Sequence, residues 1–184
     1  MWAQGLIVAV VLVVVLGIIG AAFLSTRQQP TDGDVQPPPP PPPTTSKSAA
    51  EINLALSDFA KAGWVKYSEG TLTVSAAGLV ENNTRTFYED VGYRVTILDS
   101  DVLKFDSVPH AQVYYSTTES DIKARFSSEQ PGVGSVSIFY KESADVWHIY
   151  FQSKNVVVHL RVVDPSIYFQ PDFVDLAKRV AARI

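Results

Sequence analysis

His148 and His159 are two of the three histidines in the chain, and both lie in the stretch ADVWHIYFQSKNVVVHLRVVD. Imidazoles held close together can ligate a transition metal, share a proton or hydrogen-bond a partner. Which of these applies depends on whether the backbone brings them to one surface. If Lys154–Asn155 is a two-residue turn, Ser153 pairs with Val156 and alternate residues share a face. One face then carries Trp147, Ile149, Phe151, Val158, Leu160 and Val162, all apolar. The other carries His148, Tyr150, Gln152, Val157, His159 and Arg161. Slipping the register by one residue would set polar positions against apolar ones, so the pattern itself selects the turn. The histidines therefore sit diagonally on neighbouring strands, with Tyr150 opposite His159.

A metal site needs a third or fourth ligand. The nearest acids, Glu142 and Asp145, are not placed on that face by the pattern, so no metal and no cofactor are expected. Tyr and Arg are enriched at protein interfaces, and the face formed by His148, Tyr150, Gln152, His159 and Arg161 is expected to meet solvent or a protein partner. The acidic pairs Glu89–Asp90 and Asp99/Asp101 read as solvated carboxylates at turns. The chain has no cysteine, which excludes thiolate metal sites, disulfides and a cysteine nucleophile. It carries no G-x-S-x-G, H-E-x-x-H, P-loop or G-x-G-x-x-G motif. PGVGSVS, from Pro131, leads into a strand rather than opening a helix, so it lacks the helix N-terminus that a phosphate loop needs. The chain is not expected to be an enzyme.

The elements around the hairpin follow from periodicity. Ser48 with Glu51 has capping-box spacing, and Ile52, Leu56 and Phe59 share a helical face that Gly63 ends. From Trp64 to Phe105 the period becomes two, punctuated at Gly70, Gly78, Asn82–Asn83, Gly92 and Asp99–Ser100, which predicts a meander of short strands. Ser107 and Pro109 start a helix whose Ser116–Thr118 centre is a poor helix former and a predicted break. Val136, Ile138 and Tyr140 predict a third strand beside the hairpin. Pro171 opens a last helix with the apolar stripe Phe173, Leu176, Val180 and Ile184, its acids early and its bases late. The sum is an α+β domain over residues 49–184, an antiparallel sheet with about three helices packed mainly on one face.

Before it, residues 1–4 form a short flank, and Gly5–Leu24 is a charge-free apolar run of 20 residues. At 1.5 Å per residue such a helix spans about 30 Å, the hydrocarbon thickness of a bilayer. The flank has no basic residue and the run exceeds a signal peptide's apolar core, so a retained transmembrane helix is expected. Gly17 and Ala21 are four apart, a spacing that lets another helix pack closely. Residues 25–48 read as an extended linker around Pro37–Pro43, in polyproline II a rod of roughly 22 Å. Arg27 favours a cytoplasmic C-terminal side, while a cysteine-free domain beyond a stiff spacer suits an envelope space; the extracytoplasmic placement is the expectation. Asn82-Asn83-Thr84 is an N-glycosylation sequon, making Asn82 a candidate acceptor. The net charge of −4 and the scattered bases argue against nucleic acid as a partner.

These parts predict a single-pass membrane protein that presents an extracytoplasmic domain for protein binding, or as an accessory subunit of a membrane or envelope complex. The order of parts resembles energy-transducing TonB-type proteins, which implies a mechanical link across an envelope as an alternative. A second alternative is a cytoplasmic adaptor whose polyproline run docks into SH3- or WW-type grooves.

Overall fold

The structure, a computed structural model, describes residues 40–165 and 169–184. The apolar run Gly5–Leu24, with Gly17 and Ala21, and the prolines up to Pro39 lie outside the described residues. Among the described residues no helix is long and apolar enough to cross a membrane. Within this part the chain forms an α+β domain with helices α1 (Ala49–Ile52), α2 (Val108–Arg125) and α3 (Gln170–Ala181). The strands are β1 (Trp64–Gly70), β2 (Leu79–Asp90), β3 (Val95–Phe105), β4 (Ser128–Glu129), β5 (Val136–Ser143), β6 (Val146–Ser153) and β7 (Val156–Val163). They make one seven-stranded antiparallel sheet in the order β1-β2-β3-β7-β6-β5-β4.

The hairpin pattern sets the centre of this sheet. Ser153 pairs with Val156, and Trp147, Ile149, Phe151, Val158, Leu160 and Val162 all enter the main core. That core is closed by Ile52 of α1 and by Phe173, Leu176, Ala177 and Val180 of α3. Each such side chain contributes roughly 1.5–3 kcal/mol on full burial, so a one-residue slip of the hairpin is strongly disfavoured.

Helices cover both faces of the sheet, which corrects the expected one-sided arrangement. α2 lies on the opposite face, where Ala111 and Tyr115 pack on Leu103, Phe105 and Val157, and Ile122 packs with Ile138 and Tyr140. α2 also continues unbroken through its Ser-Thr-Thr centre. The Thr117 and Thr118 hydroxyls donate to the carbonyls of Val113 and Tyr114 four residues back, which satisfies them inside the helix.

The first helix is far shorter than expected. The Ser48–Glu51 capping box forms, yet α1 ends at Ile52 and only a 3₁₀ turn, Leu56–Asp58, follows. Asn53 turns its amide into the sheet, and Arg85 donates to the Leu54 carbonyl while Arg183 donates to that of Asn53. Those carbonyls are taken by arginines instead of by the next helical turn, and Leu56 is left 48 % exposed. The domain also engages the chain before residue 49. The Thr45 amide donates to Asn155 Oδ1 at 2.8 Å, and Lys47 Nζ donates to the Arg183 carbonyl at 2.6 Å.

Candidate functional site

The antiparallel register stacks residues into rows across the α2-side face. One row runs Tyr140, His148, Arg161, Asp99, Thr86 from β5 to β2. The next runs Ile138, Tyr150, His159, Asp101, Thr84. Asn82–Asn83 and Asp99–Ser100, expected as turns, are therefore mid-strand. Their polarity is satisfied across strands, not by water at a bend: Thr84 Oγ1 donates to Asp101 at 2.6 Å and Thr86 Oγ1 to Asp99 at 2.9 Å.

A continuous hydrogen-bonded line crosses these rows. Glu142 Oε2 lies 3.1 Å from His148 Nε2, and His148 Nδ1 lies 2.9 Å from His159 Nε2. His159 Nδ1 lies 3.3 Å from Asp101 Oδ2, and Arg161 donates to Asp99 at 3.1 Å in parallel. The rings are held flat by stacking. Tyr140 lies on His148 at 4.5 Å between centroids, Tyr150 on His159 at 4.1 Å, and Phe126 extends the stack over Tyr140. Planar parallel rings fix the in-plane lone pairs and N–H groups along the line, which is what directional hydrogen bonding requires.

Of the five residues expected to face a partner, His148 and Gln152 are buried, at 5 % and 3 % exposure. Gln152 donates to the Lys154 carbonyl, and Tyr150 is packed beneath α2. Tyr150, His159 and Arg161 remain partly accessible. The two histidines do share a face and meet, as the register predicted. Their partners Glu142, Asp101 and Asp99 were missed, although the alternation Val95, Ile97, Asp99, Asp101, Leu103 carries the strand period straight through the acids. Asn82 is half-buried, with its amide bonded to the Leu72 backbone at both ends, and sits in β2 instead of a turn. Among the described residues no group of three or more His, Asp or Glu is placed to hold a metal ion.

Burial, and next the charge of His159, push the His148 imidazole down to about 4, against the upward pull of Glu142. Burial raises the Tyr150 phenol, and that of Tyr140 with help from Glu142. The line is thus an array of paired donors and acceptors, buried at His148 and open to solvent at Glu142.

Among the described residues α2 makes its main contacts with β3, β6 and β7, and the outer part of this face, toward β1 and β2, carries exposed side chains. There Val65, Tyr67, Val95 and Ile97 are exposed, Tyr67 at 75 %, and Tyr67 meets Tyr88 edge-on at 6.2 Å. This apolar strip runs beside Arg161 and Asp99. On the other face a cleft of about 390 Å³ is lined by Phe59, Trp64, Arg94, Arg179, Asp172 and Asp175 among others. Its acids and bases are mixed, and Arg94 is paired with Asp164, so it favours no one charge class of ligand. No protein-family model, curated protein or solved structure matches the chain.

Proposed function

We propose that the chain is a single-pass membrane-anchored protein whose α+β domain stands outside the cytoplasm and binds a protein partner, as an accessory subunit of a membrane or envelope complex. The sequence supports an anchor at Gly5–Leu24 and a stiff spacer at Pro37–Pro43. The observation that carries the binding reading is the open strip of Val65, Tyr67, Tyr88, Val95 and Ile97 beside the Arg161–Asp99 pair. An apolar, tyrosine-bearing patch with a polar border is the composition of a protein contact surface.

A photo-crosslinking residue placed at Tyr67 or Ile97 of the full chain in its native membrane tests this. The expected result is one identified membrane or envelope protein joined from both positions and not from Val113, which is exposed on the outer side of α2. Deleting residues 5–24 should release the protein from the membrane fraction. Equal labelling from Val113, an adduct of two copies of this chain, or a membrane-bound deletion variant would overturn the reading.

A further inference from the structure

We propose that His148 and His159 hold three ring protons between them, as one imidazole and one imidazolium, and that entry of a fourth proton opens their contact and loosens the seat of α2. The two rings have four nitrogens, and all four are engaged in three contacts: with Glu142, with each other, and with Asp101. Carboxylates only accept, and each contact needs one hydrogen. Two neutral rings bring two hydrogens, so one contact would set lone pair against lone pair or against a carboxylate. Two imidazoliums bring four, so two N–H groups would face one another across 2.9 Å. Three hydrogens satisfy every contact, with the extra positive charge between two carboxylates.

The surroundings sharpen the point. From β5 the pair is faced by Glu142 and Tyr140, from β6 by Tyr150, from β7 by Arg161 and from β3 by Asp99 and Asp101; α2 brings Tyr114 near Tyr150 and Arg125 near Tyr140. Arg161 and the His159 charge both oppose a second charge on His148, as does burial. In the three-proton state the sole free ring lone pair is the acceptor of the His148–His159 bond, so a fourth proton can enter only after the rings part. Glu142, with its side chain 53 % exposed, is the outlet to solvent.

Opening the contact has a mechanical consequence. Tyr150 stacks on His159 and also packs in the two apolar clusters under α2. A displaced His159 ring removes the support of Tyr150, and through it that of Tyr115 and Ile122. The backbone ladder between β6 and β7 is untouched, so the response is a local loosening rather than unfolding. This device is independent of the membrane anchor and of any partner.

The test is ring-nitrogen NMR on full-length, histidine-labelled protein in micelles, with hydrogen exchange followed on α2. The expected spectrum shows three ring-bound protons across the two residues at neutral pH and a single further step near pH 4 on His148. Exchange of the Tyr115–Ile122 amides should rise with that same step. Glu142→Gln, an exposed change that keeps the fold, should move the step to lower pH. His159→Gln should abolish the coupling between the step and α2 exchange. Two independent titrations near the ordinary histidine value of about 6.5, two ring protons at neutral pH, or pH-independent α2 exchange would each overturn the proposal.

Discussion

Asn53 Nδ2 donates to Asn83 Oδ1 at 2.8 Å, joining the end of α1 to the middle of β2 beneath the core. The same amide also reaches the backbone carbonyls of Asn83 and Ser100, while Asn53 Oδ1 accepts from the Ser100 hydroxyl and the Leu54 amide. All three side chains are buried. Removing one partner leaves the others dry and unpaired, at about 1–3 kcal/mol for each stranded group.

Asn53→Ala is therefore expected to lower the unfolding free energy by roughly 3 kcal/mol. Urea denaturation checks this. Asn53→Asp should be worse, because a carboxylate cannot donate to the carbonyls of Asn83 and Ser100. An Asn53→Ala protein with an unchanged midpoint would show that the knot contributes nothing net.

That knot also explains what the sequence hid. The hairpin of β6 and β7 was legible because a strict period of two over both strands leaves a single turn that keeps Trp147 and Leu160 on the same face. α3 was legible for the same reason, as Phe173, Leu176 and Val180 define its stripe by themselves. Asn83 and Ser100 were misread as turn residues because small polar residues usually satisfy themselves locally. Here their partner is Asn53, up to 47 residues away. The site divides in the same way. That His148 and His159 share a face follows from register alone, but Asp101 reaches His159 across a strand pairing 58 residues distant in sequence, which no local pattern encodes.

The turn offers a second measurement. Lys154 has a φ of 48°, in the left-handed region where a side chain costs about 1–2 kcal/mol relative to the right-handed one. Lys154→Gly relieves that strain and should raise stability by about 0.5–1 kcal/mol despite the added freedom of the unfolded chain. Lys154→Val, branched at Cβ, should lower it by at least as much. Paired thermal unfolding curves read both, and a stabilising valine would refute the assignment of strain to this position.

Stability should also depend on pH in a defined window. The folded His148 value, about 4, lies below the unfolded value of about 6.5, so the unfolded chain takes up this proton first as pH falls. The contribution of this group to folding is therefore complete above about pH 6.5 and declines steadily toward pH 4. His148→Gln should flatten this part of the profile in denaturant titrations at matched ionic strength, leaving the carboxylate-driven loss at lower pH. A wild-type protein whose slope between pH 6.5 and 4 matches that of the variant would contradict the assignment.

Tyr115 carries the last prediction. It is buried on α2 against Leu103, Phe105 and Val157, and its hydroxyl has no hydrogen-bond partner among the described residues. Burial raises this phenol, with a further push from Glu119. A buried hydroxyl that bonds to nothing has lost its water without replacement, which costs about 1–3 kcal/mol. Tyr115→Phe keeps the ring and its packing while deleting the stranded group. The variant is expected to gain about 1 kcal/mol in urea denaturation with an unchanged m-value, since the surface exposed on unfolding stays nearly the same. Destabilisation by the same substitution would mean that the hydroxyl is bonded in solution, to a buried water.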